Sequence, residues 1–193
     1  AGMGKDFYEN SEAARSFFDQ AQKNLDFDLK EMCFGEHEEL NLTEYTQPCM
    51  VSVCLAIVRE LKKRGINPDI TAGLSLGEYA AVAAAGGMNE LDAIKLVRRR
   101  GILMQSTVPA GEGAMAAVLG LDAKKIEEIL ESFENVWIAN YNCPGQIVIT
   151  GLTNEVQQAS LALKEAGAKR VVELKVSGPF HSPLLKQAGE ALL

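Results

Sequence analysis

Over residues 114–176, apolar runs of strand length alternate with runs of helical period, and few folds accommodate that order. The spacing predicts strands at 114–119, 136–141, 146–150 and 170–176 and helices at 122–133 and 153–166, with a turn at Asn142-Cys143-Pro144-Gly145. The order βαββαβ is that of the ferredoxin-like unit. Pro109-Ala110-Gly111-Glu112-Gly113, just before it, has the glycine and proline content of a linker. The stretch therefore reads as a small subdomain inserted after a larger one.

The earlier residues read as helices and loops. Ser11 suits an N-cap, with Phe17, Phe18 and Ala21 following at helical spacing. Val51, Cys54, Leu55, Val58 and Leu61 mark an amphipathic helix over 48–63, with Gly65 at its C-terminal cap. Asp69-Ile70-Thr71-Ala72 leans toward strand, 78–85 is an alanine-rich helix ended by Gly86-Gly87, and Asn89 caps a helix to about residue 105. The fold class is α/β: a large α/β subdomain at 1–110, the ferredoxin-like small subdomain at 111–176, and a return to the large one at 177–193.

Composition narrows the classes. The 193 residues are 47% hydrophobic and 23% charged, as in ordinary globular proteins. No apolar run approaches the ~20 residues of a bilayer span and no signal-type segment opens the chain, so a cytoplasmic protein without membrane partners is expected. A formal net charge of -7 argues against a nucleic-acid partner. Cys33, Cys49, Cys54 and Cys143 lack C-x-x-C spacing and the chain has 2 histidines, so no metal site and reduced thiols are expected. The basic clusters Lys62-Lys63-Arg64, Arg98-Arg99-Arg100 and Lys169-Arg170 read as solvated helix ends or as docking points for an acidic partner.

Between the β-leaning run and the alanine-rich helix lies Gly73-Leu74-Ser75-Leu76-Gly77, a G-x-S-x-G sequence. A nucleophile elbow needs a sharp strand-to-helix turn, for which Gly73 and Gly77 leave room, and the Leu76 amide can then face a developing oxyanion. The alternative is a tight turn with Ser75 as a plain N-cap. Serine needs a base, and His37 sits in the acidic stretch Gly35-Glu36-His37-Glu38-Glu39 that reads as surface. His181, in the loop after the last strand of the inserted unit, is the better candidate base, with a structural histidine as the alternative. On the helix from Asn89, Arg99 should face water, whereas Arg98 and Arg100 fall among apolar positions and need anionic or carbonyl partners. For both, a structural role and a ligand role stay open.

Gly73-Leu74-Ser75-Leu76-Gly77-Glu78-Tyr79, Arg100-Gly101-Ile102-Leu103-Met104-Gln105, Gly113-Ala114-Met115-Ala116-Ala117-Val118, Asn140-Tyr141-Asn142-Cys143-Pro144-Gly145-Gln146 and Gly178-Pro179-Phe180-His181-Ser182 together resemble the malonyl-CoA:acyl-carrier-protein transacylase family over nearly the whole chain. The resemblance implies a hydrolase-like parallel sheet in the large subdomain, incomplete in these residues. It also implies ping-pong transfer of malonyl from malonyl-CoA to the phosphopantetheine thiol of acyl carrier protein, with no bound cofactor. Ser75 would be the nucleophile, His181 its base, the Leu76 amide an oxyanion donor and Arg100 the partner of the malonyl carboxylate. Asn140 and Met115 would line the acyl cleft, and Phe180 matches the malonyl-selective form of the motif. A family strand and a glycine-glutamine-glycine turn with a second oxyanion donor would precede Ala1-Gly2-Met3-Gly4, and the group orienting the histidine would follow Leu193. The 193 residues are therefore expected to be a fragment or an incompletely resolved chain, poorly folded or inactive alone. An acyltransferase domain of a modular polyketide or fatty acid synthase, a serine esterase and a non-catalytic carrier-binding module are the competing readings.

Overall fold

The computed structural model describes residues 2–109, 111–176 and 178–193 of an α/β chain with one small antiparallel sheet. The linker residue Ala110, the loop residue Ser177 and the first residue, Ala1, on which expected boundaries fell, lie outside the described residues. The chain forms two compact units, Ala1–Ile102 and Leu103–Leu193, the division falling within a helix over Glu90–Thr107. Among the described residues no helix is long and apolar enough to cross a membrane.

The first unit is helical. Helices α1 (Lys5–Asn10), α2 (Glu12–Gln22), α3 (Leu29–Phe34), α4 (Thr43–Lys63), α5 (Leu76–Ala84) and the first part of α6 (Glu90–Thr107) surround a core that includes Phe17, Phe18, Leu29, Leu55, Ile94 and Val97. Ser11 caps α2 as expected, its hydroxyl accepting from the Ala14 amide at 3.0 Å. Asn89 caps α6 through the amides of Leu91 and Asp92. Gly65, at φ 79°, closes α4 with the paired bonds Gly65 N–H to Lys62 O and Ile66 N–H to Leu61 O.

Three expectations for this unit need correction. Helix α4 begins at Thr43 rather than at residue 48, so Pro48 lies inside it. Proline removes a backbone donor and leaves the carbonyl four residues earlier without its helical partner; Arg98 Nη1 donates to that Glu44 carbonyl at 2.7 Å, which lets the helix pass through the proline. The buried face of α4 is also broader than the expected stripe. Ser52, Val53 and Ala56 are buried, while Cys54 and Leu61 are exposed, because α2, α3 and α5 all pack on this helix. Finally, 69–72 is not a strand: it runs unpaired, with Ile70 exposed. A β-leaning run becomes a strand when a neighbour supplies a hydrogen-bond ladder, and no strand lies beside it among the described residues.

The second unit realises the alternation read from the sequence. Strands β1 (Gly113–Leu119), β2 (Val136–Cys143), β3 (Gln146–Leu152) and β4 (Arg170–Glu173) form one sheet in the order β2-β3-β1-β4, every neighbour antiparallel. Helices α7 (Ala123–Leu130) and α8 (Thr153–Glu165) bury Ile126, Leu130, Val156 and Leu163 against Val118, Ile147 and Ile149 on one face. On the other face, Met115, Ala117 and Val148 form a smaller cluster with Leu174 and Phe180. After β4 the Leu174 N–H still donates to Met115 O of β1, and the chain leads through the His181 loop to α9 (Lys186–Leu192).

Candidate active site

Ser75 stands immediately before α5, at φ 52° and ψ -105°. Side chains bearing a Cβ avoid that region, so the turn is held in place by its surroundings. Gly73 is one of them: a Cβ there would overlap the Gly77 carbonyl group and the Glu78 nitrogen, so this glycine lets the chain double back under the serine. A Cβ at Gly77 meets nothing within 4 Å, so the expectation that both glycines make room holds for Gly73 alone. The amides of Gly77 and Glu78 are taken by Leu74 O and Ser75 O, whereas the Leu76 N–H, first of the helix, has no partner among the described residues.

Arg100 reaches this turn from α6. Its Nη2 donates to Ser75 Oγ at 3.3 Å, its Nη1 donates to Gln47 Oε1 at 2.6 Å, and the guanidinium stands 5.5 Å from the Tyr79 ring centroid. Gln47 is 3% exposed and donates from Nε2 to Thr43 Oγ1 at 3.0 Å. Sequence reasoning passed over Gln47 and Tyr79. The signal for Gln47 was its phase: with Val51 and Leu55 it shares a four-residue spacing, which puts a polar side chain on a buried stripe.

The two apolar-flank arginines separate in chemistry. Arg98 forms a two-pronged pair with Asp26, Nε to Oδ1 at 2.8 Å and Nη2 to Oδ2 at 3.0 Å, and meets Glu44 Oε2 at 3.1 Å. Its guanidinium also lies 4.8 Å from the Tyr45 ring centroid. Burial works against its charge, but the hydrogen bonds and charges of Asp26 and Glu44 outweigh that and raise its pKa. The same hydrogen bonds hold the Asp26 carboxyl below the usual carboxylate range. Arg98 is thus structural. Arg100 has no carboxylate partner among the described residues, and Arg99 is exposed as expected.

In the second unit His181 has φ 58°, so Ser75 and His181 are the non-glycine residues at positive φ among those described. The His181 side chain is exposed, and its loop is tied by Ser182 Oγ donating to Pro179 O at 2.7 Å and Phe180 N–H donating to Gly178 O at 3.0 Å. Pro179 is buried against Gly113, where a Cβ would overlap the proline ring, so β1 anchors this loop. Phe180 packs on the cluster containing Met115.

A β-bulge brings Asn140 to the same face. Ile138 pairs with Ile149, but the next partners are Asn140 and Val148, leaving Ala139 as the extra residue. Directly paired residues share a face. Asn140 therefore lies with Val148 and Met115, while Tyr141 swings to the helix face and donates from its hydroxyl to Glu127 Oε1 at 2.6 Å. His37, the other histidine, contacts Glu31 Oε1 at 3.0 Å.

The chain matches the family model described as acyl transferase domain over residues 1–193. It is 48% identical over 196 residues to the malonyl CoA-acyl carrier protein transacylase of Bacillus subtilis, covering 99% of this chain and 62% of that protein. The crystal structure of a malonyl CoA-acyl carrier protein transacylase from Clostridium perfringens matches with a TM-score of 0.93 at 42% identity, covering 100% of this chain and 62% of the other. A malonyl-transacylase solved in complex with its type II PKS acyl-carrier protein matches with a TM-score of 0.94 at 40% identity, over 99% of this chain and 63% of that one. The chain thus spans about three fifths of the length of these relatives, 62% of the first, and belongs throughout the matched residues to the acyl transferase domain family.

Proposed function

We propose that this protein transfers a malonyl group from malonyl-CoA to the phosphopantetheine thiol of acyl carrier protein, by a ping-pong route through a malonyl ester of Ser75. The observation that carries the reading is the Arg100 guanidinium, 3.3 Å from Ser75 Oγ and without a carboxylate partner among the described residues. A positive charge beside a nucleophile suits an acyl group that ends in a carboxylate, since charge-assisted pairs are the strong hydrogen bonds. The likeness to transacylases of that name, one of them in complex with an acyl-carrier protein, supports donor and acceptor alike.

In this mechanism His181 takes the Ser75 proton as the oxygen attacks the thioester carbonyl, and the Leu76 N–H donates to the oxyanion. The carbon–sulfur bond breaks and coenzyme A leaves as its thiol, taking the proton from His181. The carrier's thiol then gives its proton to His181 and attacks the serine ester, and Ser75 leaves with that proton restored. Asn140 and Met115 line the acyl cleft. The finer architecture belongs to the same reading: a hydrolase-like parallel sheet in the large subdomain at 1–110 and 177–193, and a ferredoxin-like small subdomain at 111–176, in a cytoplasmic enzyme. Support for the small subdomain comes from the strand order β2-β3-β1-β4.

Brief exposure of the full-length protein to malonyl-CoA, and separately to acetyl-CoA, followed by mass spectrometry of the Ser75 peptide, tests the reading. Malonyl should appear on Ser75 and acetyl far less. Acylation at another residue, or equal acylation by both donors, would remove the basis for Ser75 or for Arg100 respectively.

A further inference from the structure

Arg98 and Arg100 leave the same helix and end in opposite electrostatic settings. The charge of Arg98 is spent on Asp26 and Glu44, whereas Arg100 contacts the Gln47 amide, the Ser75 hydroxyl and the Tyr79 ring, all of them neutral. Gln47 is buried, and its amide is oriented from both ends. Thr43 Oγ1 accepts from Nε2, and Oε1 accepts from Arg100 at 2.6 Å. Arginine only donates and an amide oxygen only accepts, so this contact has one sense. A glutamate at 47 would have nearly the same shape and would accept more strongly, but it would cancel the charge that Gln47 leaves in place.

From this we infer that Gln47 is a specificity-determining positioning residue: it aims the Arg100 guanidinium at Ser75 while keeping its charge available to an anionic acyl group. The inference rests on the reading of Arg100 as the partner of the acyl carboxylate. It makes neutrality at residue 47 a condition for preferring a carboxylate-bearing donor.

The test compares Ser75 acylation by malonyl-CoA and acetyl-CoA in the unaltered full-length protein, in Gln47→Glu and in Gln47→Met. Initial rates over a range of donor concentrations give kcat/KM for each. Gln47→Glu should cut the malonyl-to-acetyl ratio about tenfold or more, mainly through the malonyl arm. Gln47→Met keeps the bulk and loses the acceptor, so its ratio should fall less, by about threefold to tenfold, through a higher KM for malonyl-CoA. An unchanged ratio in Gln47→Glu overturns the inference while leaving Arg100 its role, and no preference in the unaltered protein overturns both. Should Gln47→Glu fail to fold, an unchanged ratio in Gln47→Met overturns the inference instead.

Discussion

Holding a side chain in a sparsely populated backbone region costs about 1–3 kcal/mol, and proteins keep such residues where the conformation has a use. Ser75 and His181 bear that cost here. At Ser75 it is sustained by Gly73, whose missing Cβ is replaced by the backbone of Gly77 and Glu78. Gly73→Ala should therefore destabilise by about 1–3 kcal/mol through overpacking against backbone, and Ser75 acylation should drop along with it. Gly77→Ala, facing open space, should stay within about 1 kcal/mol of the parent. Urea melts of the two variants check this, and equal losses would show that the turn does not depend on Gly73. The tight turn at Ser75 was legible in the sequence at Gly73, the glycine whose missing Cβ the turn needs. Gln47 was not, because its neighbours Thr46 and Pro48 make it look like part of a helix entry.

At the scale of elements, the sequence was most legible where period and pairing agree. The strands of the second unit alternate against partners a few dozen residues away, and each expected strand appears, the last ending early at Glu173. The run 69–72 had the composition of a strand but no partner within reach, and composition alone does not make a ladder. Helix α4 was misread at its start because Pro48 resembles a helix beginning, and the group that tolerates it inside the helix, Arg98, comes 50 residues later. Arg98 also joins Asp26 to this junction. The folded-state pKa of Asp26 is lowered, so its contribution to stability is present above the unfolded carboxylate range, about 3.9, and is lost as pH falls through the folded value. Asp26→Asn should lower the melting midpoint at neutral pH and flatten its decline below about pH 4. Parallel acid limbs for the variant and its parent would remove Asp26 from that account.

Across the whole molecule, each unit has its own core, and five of the large apolar side chains left in solvent lie between residues 61 and 82: Leu61, Ile66, Ile70, Leu74 and Val82. Amide exchange should grade accordingly. Central strands β1 and β3 should exchange slowest and 66–74 fastest in the 193 residues alone. Chain length in β2 is a further variable of the molecule. Ala139 is the extra residue of the bulge and packs on the Met115 cluster, so an ancestor or descendant lacking it would still set Asn140 opposite Val148 while losing part of that lining. Loss of one more residue would exchange the two faces of the rest of the strand. The family should therefore tolerate deletion of one residue at this bulge in β2 but not of a second, a constraint on inheritance that the identity of no single side chain imposes.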